Sequence, residues 1–242
     1  MFNFFRPFIF KFSPEVAHSL AIKALKLNNF PRKTFKDKIL ETTFCGKKLS
    51  SPVGVAAGFD KNAEVYNPLF NLGFSFVEVG TITPKAQYGN PKPRVFRLEE
   101  DEALINRLGF NNSGSEEISS RISKETKKGV IGINIGPNKD SENRIEDYVN
   151  CFNKFHSLAD YITINISSPN TEGLRDLQLR GNIENLIKKI VLKREVIDSI
   201  NKKPIFIKIS PDLNDDQLRD IALISLANNI DGLILTNTTI NR

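Results

Sequence analysis

Cysteine, histidine and tryptophan are scarce or missing in this sequence. Its 242 residues include two cysteines, Cys45 and Cys151, two histidines and no tryptophan. Two distant cysteines provide neither a disulfide framework nor zinc-site spacing, and this usage is typical of a reducing compartment. With so few histidines, neither a histidine-based metal centre nor a serine–histidine triad is well supported, and we expect no metal.

Long apolar runs are also missing. No stretch approaches the roughly 20 apolar residues that a membrane-spanning helix needs. Residues 1–10 are rich in phenylalanine, but Arg6 and Pro7 interrupt them and no small-residue cleavage site follows, so we expect no signal peptide. The formal net charge of +6 comes from scattered lysines and arginines without interleaved aromatic residues, so we expect no nucleic-acid partner.

What is present is an alternation of short apolar segments with helical patterns. Hydrophobic residues make up 40% of the chain, which is enough for a large core. Helical patterns such as residues 183–200 and 215–227 lie between most candidate strands, and this alternation predicts a parallel sheet. The candidate strands are residues 53–56, 76–79, 130–133, 161–164, 205–209 and 232–235.

Six such units in series, without a sign of reversed strand order, favour a (β/α)8 TIM barrel over an open doubly wound sheet. Six is short of eight, and such a barrel needs about 250 residues. We therefore expect a C-terminally incomplete barrel over residues 41–242, opened by a hairpin at 42–49 that turns near Gly46. The long connection between strands two and three is either a functional loop or a solvated excursion.

Residues 1–40 are predicted to form an N-terminal extension. Ser13 and Pro14 are typical of a helix start, as a capping residue followed by proline in the first turn. The apolar side chains that recur at helical spacing are Val16, Leu20, Ala24 and Leu27, widened by Ala17 and Ala21. Two interpretations stay open: the extension packs on the main domain, or it contacts a membrane surface or a lipid-like ligand.

Polar side chains end most of the predicted strands. The fourth strand runs into Asn165, two serines, a proline and Asn170, the third carries Asn134, and Lys208 interrupts the fifth between two isoleucines. Strands of parallel α/β proteins bring their carboxyl ends to one edge, so we expect these groups to form one site. Amides, hydroxyls and two lysines suit a planar ligand with carbonyl and ring N–H groups and negative charge. Flavin and a pyrimidine acid both fit, and a divalent metal does not.

Seven motifs, in the same order and spacing, resemble the dihydroorotate dehydrogenase family. The resemblance extends over essentially the whole sequence. Ser168, where the soluble class carries cysteine, and the amphipathic extension indicate the quinone-linked, membrane-associated class. The matching segments are residues 57–61, 78–84, 106–112, 134–136, 165–171, 208–212 and 236–239.

The resemblance implies that dihydroorotate is oxidised to orotate in pyrimidine synthesis, that FMN takes the hydride, and that a quinone reoxidises the flavin. Ser168 is then the catalytic base that removes the C5 proton, helped by a water or threonine relay, because a serine hydroxyl alone is a poor base. The implied substrate-binding residues are Lys61, Asn106, Arg107, Leu108, Gly109, Phe110, Asn165, Asn170, Asn237 and Thr238. The implied FMN-binding residues are Ala57, Gly58, Phe59, Asp60, Lys61, Thr81, Asn134, Asn165, Lys208 and Thr236.

The resemblance also implies a peripheral position on the cytoplasmic face of a membrane. The family holds the FMN phosphate on glycine-rich turns after strands seven and eight, which would lie beyond Arg242, so we expect this chain alone to be unstable or free of cofactor. Two rival interpretations remain. One is a soluble-class flavin barrel with another electron acceptor, and the other is a non-catalytic fragment that binds a membrane or a partner through residues 1–27.

Overall fold

The structure, a computed structural model, describes residues 2–27, 37–200 and 202–241. Residues 28–36, which belong to the predicted extension, and the terminal Arg242 lie outside the described residues. The extension contributes helices α1 (Phe2–Phe10) and α2 (Pro14–Lys26), and a hairpin follows, with strands β1 (Thr42–Phe44) and β2 (Lys47–Leu49). The predicted hairpin at 42–49 is therefore confirmed.

A parallel sheet of six strands forms the centre of the molecule. Its strands are β3 (Gly54–Val55), β4 (Phe76–Ile82), β7 (Val130–Ile135), β8 (Tyr161–Asn165), β9 (Ile205–Lys208) and β10 (Gly232–Ile234). They lie side by side in chain order, without the reversal that a doubly wound sheet requires, and the sheet curls into a half-barrel. The barrel prediction is confirmed, with strand ends shifted by one to three residues.

Helices cover the outer face of this sheet. They are α3 (Tyr66–Asn71), α4 (Ser115–Ser123), α5 (Arg144–Phe155), α6 (Arg180–Ile197) and α7 (Asp215–Ala227). Alternate strand residues such as Val79, Ile133 and Ile162 are fully buried against them, as period-two alternation requires. The start of α7 is fixed by a capping box, in which Asn214 and Gln217 exchange side-chain-to-backbone hydrogen bonds.

The inner face of the sheet is closed at its amino-terminal end by aromatic rings. Phe44 of the β1–β2 hairpin packs against Phe76, Tyr161 and Phe206, with ring centroids 5.1–5.5 Å apart. Parallel strands leave this end of a half-barrel open to water. The hairpin covers the aromatic side chains there with the ring of Phe44. Polar residues occupy the opposite, carboxyl end of the same face.

The long connection between β4 and β7 contains a hairpin that the sequence pattern did not predict. Its strands are β5 (Val95–Leu98) and β6 (Ala103–Asn106), paired so that Val95 lies opposite Asn106. Apolar and polar residues alternate only weakly along these two strands, and their side chains stay half exposed. The connection is therefore a structured excursion that carries Asn106, one of the predicted site residues.

Helix α2 packs on the domain through a different face from the predicted stripe. Ile22 and Leu25 are buried, whereas Val16, Leu20 and Leu27 are exposed. Ser13 occupies the capping position but makes no side-chain cap bond. The helix thus has two apolar faces, one on the protein and one outward. Within the described residues, no helix combines the length and apolarity that crossing a membrane requires.

Candidate functional site

Three predicted site residues lie next to one another at the carboxyl end of the sheet. Asn165 at the end of β8 lies opposite Lys208 at the end of β9, and Asn134 of β7 lies opposite Thr163 of β8. All four belong to the same alternating set of strand positions, so they occupy the inner face. The carboxyl ends therefore converge as the sequence predicts.

The side chains of Thr81, Asn134 and Asn165 form a closed hydrogen-bonded triangle. Thr81 Oγ1 donates to Asn134 Oδ1 at 2.6 Å, and Asn165 Nδ2 donates to Thr81 Oγ1 at 2.9 Å and to Asn134 Oδ1 at 3.2 Å. All three residues are buried. Asn165 Oδ1 accepts from the backbone N–H and the hydroxyl of Ser167, so a donor that cannot reverse sets the orientation of its amide.

The turn after β3 is clamped to the end of β4. Gly58 N–H donates to Gly80 O at 2.9 Å, and Gly80 N–H donates to Asp60 O at 3.1 Å. Gly80 has φ of +108°, and a Cβ there would lie 2.4 Å from Asn134 O, so only glycine fits. This clamp holds the backbone of Ala57–Gly58 against the end of β4, and Gly58 O in turn accepts from the Lys61 ammonium group.

The Lys61 ammonium group is largely buried and has no carboxylate directly beside it among the described residues. Its Nζ donates to Gly58 O at 2.6 Å. Burial lowers the pKa of Lys61 to about 8, and the positive charge of Arg94 acts in the same direction. Among the described residues, no carboxylate lies within ion-pair distance of Lys61 or of Lys208. Each ammonium group therefore lacks an anionic partner that the protein itself would supply.

Ser168 lies in the buried loop that follows β8. Its Oγ accepts the backbone N–H of Asn170 at 3.2 Å, and the side chain of Asn170 donates to Asn106 Oδ1 at 3.2 Å. Asn90 supports this contact by donating to the carbonyls of Asn170 and Arg107. The long excursion and the β8 loop thus meet at Asn170, two residues after Ser168.

The β10 end is tied to the same loop. Asn237 Nδ2 donates to Ser167 Oγ at 3.0 Å, and Thr238 is exposed next to it. Arg175, which the sequence analysis did not single out, donates to the carbonyls of Ser167 and Thr238 and pairs with Asp212 at 2.8 Å. A guanidinium between three loops fixes the rim around Ser168.

Several predicted residues have side chains engaged elsewhere. The Asp60 carboxylate accepts from the backbone N–H groups of Glu64 and Val65, and Arg107 donates to Pro93 O and lies over the Phe96 ring. Neither side chain is directed at the amide triangle, so these two residues offer a ligand mainly their backbone. The Thr236 hydroxyl donates to Asn237 O and is exposed.

A cavity of about 930 Å3 joins the N-terminal helices to the site. Its walls include Ile22 of α2, Val95 and Leu104 of the excursion, and it ends at Lys61 and Asn106. His18 borders it and hydrogen-bonds Phe59 O at 2.7 Å. Leu108 also lines this cavity, whereas Gly109 and Phe110 are buried beside it.

Asn111 is a site residue that sequence reasoning did not assign. It lines the cavity, and its Oδ1 is buried without a hydrogen-bond partner among the described residues. An unpaired buried oxygen costs free energy unless a ligand donates to it. Neutral amides, unpaired ammonium groups and this orphaned acceptor fit a flavin and a pyrimidine acid, whose ring N–H and carbonyl groups alternate. The asparagine pair at 111–112 was the only sequence signal.

Comparisons with known proteins agree with this geometry. The sequence model of the family Dihydroorotate dehydrogenase matches residues 39–242. Dihydroorotate dehydrogenase (quinone) of Rhizobium leguminosarum is 50% identical over 237 residues, which are 97% of this chain and 66% of that protein. Dihydroorotate dehydrogenase (quinone) of Allorhizobium ampelinum is 50% identical over 244 residues, which are 99% of this chain and 67% of that protein. The crystal structure of DHODH in complex with ferulenol from Eimeria tenella superimposes with a TM-score of 0.89 at 40% identity, over 95% of this chain and 68% of that one. The chain thus spans slightly less than two thirds of the length of the first of these relatives.

Proposed function

This chain belongs to the dihydroorotate dehydrogenase family, and on that premise we propose that the protein oxidises dihydroorotate to orotate for pyrimidine synthesis, with FMN as the hydride acceptor and a quinone as the final acceptor. One observation carries the proposal. Two ammonium groups, those of Lys61 and Lys208, stand without carboxylate partners among the described residues, at an edge otherwise built from amides and hydroxyls. Such an edge is complete only when a flat anionic ligand occupies it.

Lys61 and the amides bind and orient the substrate. The ammonium group of Lys61 pairs with the substrate carboxylate, while Asn106, Asn170, Asn237 and Thr238 bond the pyrimidine ring. The 3.2 Å contact between Asn170 and Asn106 keeps their amides in register before a ligand arrives. A site that pairs every polar ring atom rejects analogues, because a wrong ligand leaves buried groups unpaired.

Ser168 removes the proton from C5 of the substrate. The backbone N–H of Asn170 donates to Ser168 Oγ, and this bond strengthens as the oxygen gains negative charge. The donor therefore favours transfer of the hydroxyl proton to the water or threonine relay beside Ser168, while Ser168 Oγ takes the C5 proton. Arg175 holds the loop by bonding Ser167 O, so that Ser168 keeps its position.

A bound FMN would supply the acceptor for the hydride from C6. Lys208, Thr81, Asn134 and Asn165 on the inner face would hold it, together with the clamped backbone of Ala57–Gly58. The Lys208 ammonium group would stabilise negative charge on the flavin ring. The tight turn at Gly58 and Gly80 lets the backbone approach a flat ring closely.

The cavity beside α2 gives the quinone a path to the site. Its walls are apolar at Ile22, Val95 and Leu104 and become polar at Lys61, so they match an apolar molecule with a polar head. The outward face of the helices, with Phe8, Phe12 and Leu20 exposed, lies against a membrane surface from which the quinone arrives. We assign this surface to the cytoplasmic side of the membrane.

The proposal is tested by anaerobic titration of the purified holoprotein. Dihydroorotate should bleach the flavin absorbance stoichiometrically, and a ubiquinone analogue should restore it, whereas fumarate and NAD should not. A colourless full-length protein, with a complete and natively folded barrel, would refute the flavin assignment. If fumarate or NAD reoxidised the flavin and the ubiquinone analogue did not, the protein would instead belong to the soluble class.

A further inference from the structure

Glu78 lies on the inner face of β4, one layer below the amide triangle. Its side chain is buried at 5% exposure, and Glu78 lies opposite Gly132 of β7, which in turn lies opposite Tyr161 of β8. Its two carboxylate oxygens accept from different neighbours: Oε1 from Asn134 Nδ2 at 2.8 Å, and Oε2 from Thr163 Oγ1 at 2.9 Å. The Tyr161 hydroxyl also bonds this carboxylate.

These neighbours differ in how much they depend on Glu78. A hydroxyl can turn its proton, so Thr163 and Tyr161 can donate or accept. The amide of Asn134 cannot, because its oxygen already accepts from Thr81 and Asn165. If Asn134 were flipped, its NH2 group would face the Asn165 NH2 group and its oxygen would face the carboxylate.

A chain of hydrogen bonds leads from Glu78 to the site. Glu78 accepts from Asn134, Asn134 accepts from Asn165 and Thr81, and Asn165 accepts from Ser167, which in turn accepts from Asn237. The backbone N–H of Ser167 can only donate, so it orients the Asn165 amide without Glu78, whereas the NH2 group of Asn134 donates to Glu78 itself.

We propose that Glu78 is a positioning residue that fixes the amide orientation of Asn134 toward the bound flavin. This inference rests on the proposed function, since it concerns the same site. Glu78 itself touches neither ligand, because the amide triangle lies above it.

Exchanging the two groups tests the proposal. Asn134→Asp sets two carboxylates against each other without a proton donor between them. Adding Glu78→Gln restores the pattern, since the new amide donates to the carboxylate introduced at position 134, whose other oxygen still accepts from Thr81 and Asn165. Glu78→Gln alone is mild, because its oxygen can accept from Asn134 and its NH2 group can donate to the Thr163 hydroxyl.

The measurements are the FMN dissociation constant, the flavin midpoint potential and the thermal midpoint, all in the same buffer. Asn134→Asp should weaken FMN binding about tenfold or more and lower the thermal midpoint by roughly 5–10 °C. The double variant should recover most of both losses and return the potential toward that of the wild type. Thr163→Val, which removes the other partner of Glu78, is the matched control and should restore nothing when combined with Asn134→Asp.

Additive losses would contradict the inference. If Glu78→Gln lowers FMN affinity and the thermal midpoint of the Asn134→Asp variant as much as it lowers those of the wild type, Glu78 does not act through Asn134. A double variant that does not fold, or does not regain flavin, overturns it as well. Failure of the proposed function would look different. The wild-type protein would then lack flavin, while the thermal midpoints would still show the rescue.

Discussion

The Glu15 carboxylate on helix α2 accepts two hydrogen bonds from the guanidinium of Arg94, at 2.6 and 3.1 Å. Arg94 is buried and also donates to Tyr88 O and Asn90 O, so this one side chain joins the N-terminal helices to the excursion that carries Asn106. Burial alone would raise the pKa of Glu15, but the hydrogen bonds and charge of Arg94 hold it below its usual 4.5.

Breaking this pair should destabilise the protein measurably. Glu15→Gln leaves a buried guanidinium without its counter-charge, which should lower the free energy of unfolding by about 2 kcal/mol, since one side of the pair is partly exposed. Glu117→Gln, which removes the exposed partner of Arg121, is the control and should cost less than about 0.5 kcal/mol. Urea unfolding measures both. Equal losses would show that the Glu15 pair contributes no more than a surface contact.

The same pair predicts a pH dependence. Because the folded pKa of Glu15 is lowered, its contribution is fully present above the unfolded value of 4.5 and is lost as the pH falls through the folded value. The difference in unfolding free energy between wild type and Glu15→Gln should therefore shrink below pH 4.5. A difference that stays constant down to the folded pKa would contradict this assignment.

Lys61 makes substrate affinity depend on pH on the alkaline side. With a pKa of about 8 in the free protein, Lys61 is protonated below that pH, and a bound carboxylate raises its pKa by favouring the ammonium form. Orotate affinity should be highest below about pH 8 and should fall by up to about tenfold per pH unit above it. Titration of the flavin absorbance with orotate between about pH 7 and 9 measures this.

Lys61→Met supplies the control for this pH profile. It should bind orotate weakly at every pH, because no ammonium group remains to titrate. If wild-type affinity stays flat through about pH 8, or if the Lys61→Met variant keeps the slope, another group is responsible.

Ser168→Ala should separate proton removal from flavin binding. The substitution removes the proposed base and leaves the surrounding backbone in place, so FMN should stay bound and orotate affinity should change little. Flavin reduction by dihydroorotate, followed by stopped flow, should slow by at least about 100-fold. Ser168→Cys, which places the base of the soluble class there, should retain more activity than alanine. Reduction of the alanine variant at the wild-type rate would remove Ser168 from this role.

Strand order and the polar strand ends could be predicted from the sequence because both depend on local patterns. Asn134, Asn165 and Lys208 stand out as polar residues within apolar strands, and period-two alternation places them on one face. The weakly alternating β5–β6 hairpin could not be found in this way. Its strands stay half exposed, so their hydrophobic pattern is faint.

Contacts between distant segments lay outside what sequence patterns reveal. Glu78 follows an apolar residue in a strand motif, and nothing local tells that Asn134 and Thr163 will donate to it. Arg107 and Asp60 belong to matching motifs, yet their side chains stabilise the local backbone. A motif identifies which residues are near a site, whereas the direction of each side chain depends on neighbours far along the chain.

The outward face of α2 should bind membranes without contributing to the fold. Val16 and Leu20 are exposed at 47% and 44%, on the side opposite the buried Ile22 and Leu25. Replacing both exposed residues with glutamate removes apolar area and adds charge repelled by anionic lipid, so binding to vesicles of phosphatidylcholine and phosphatidylglycerol should fall at least about tenfold. Flotation of the vesicles measures the bound fraction.

The matched control changes two leucines that are even more exposed and lie away from the N-terminal helices, Leu223 and Leu226 of α7. Their replacement with glutamate should leave vesicle binding unaltered, because the proposal assigns lipid contact to the outward face of α2 alone. The α2 variant should keep full flavin reduction by dihydroorotate and full turnover with a water-soluble quinone, and should lose turnover only with a quinone dissolved in vesicles. Equal vesicle binding by the α2 variant and the wild type would assign the exposed face a role other than membrane contact.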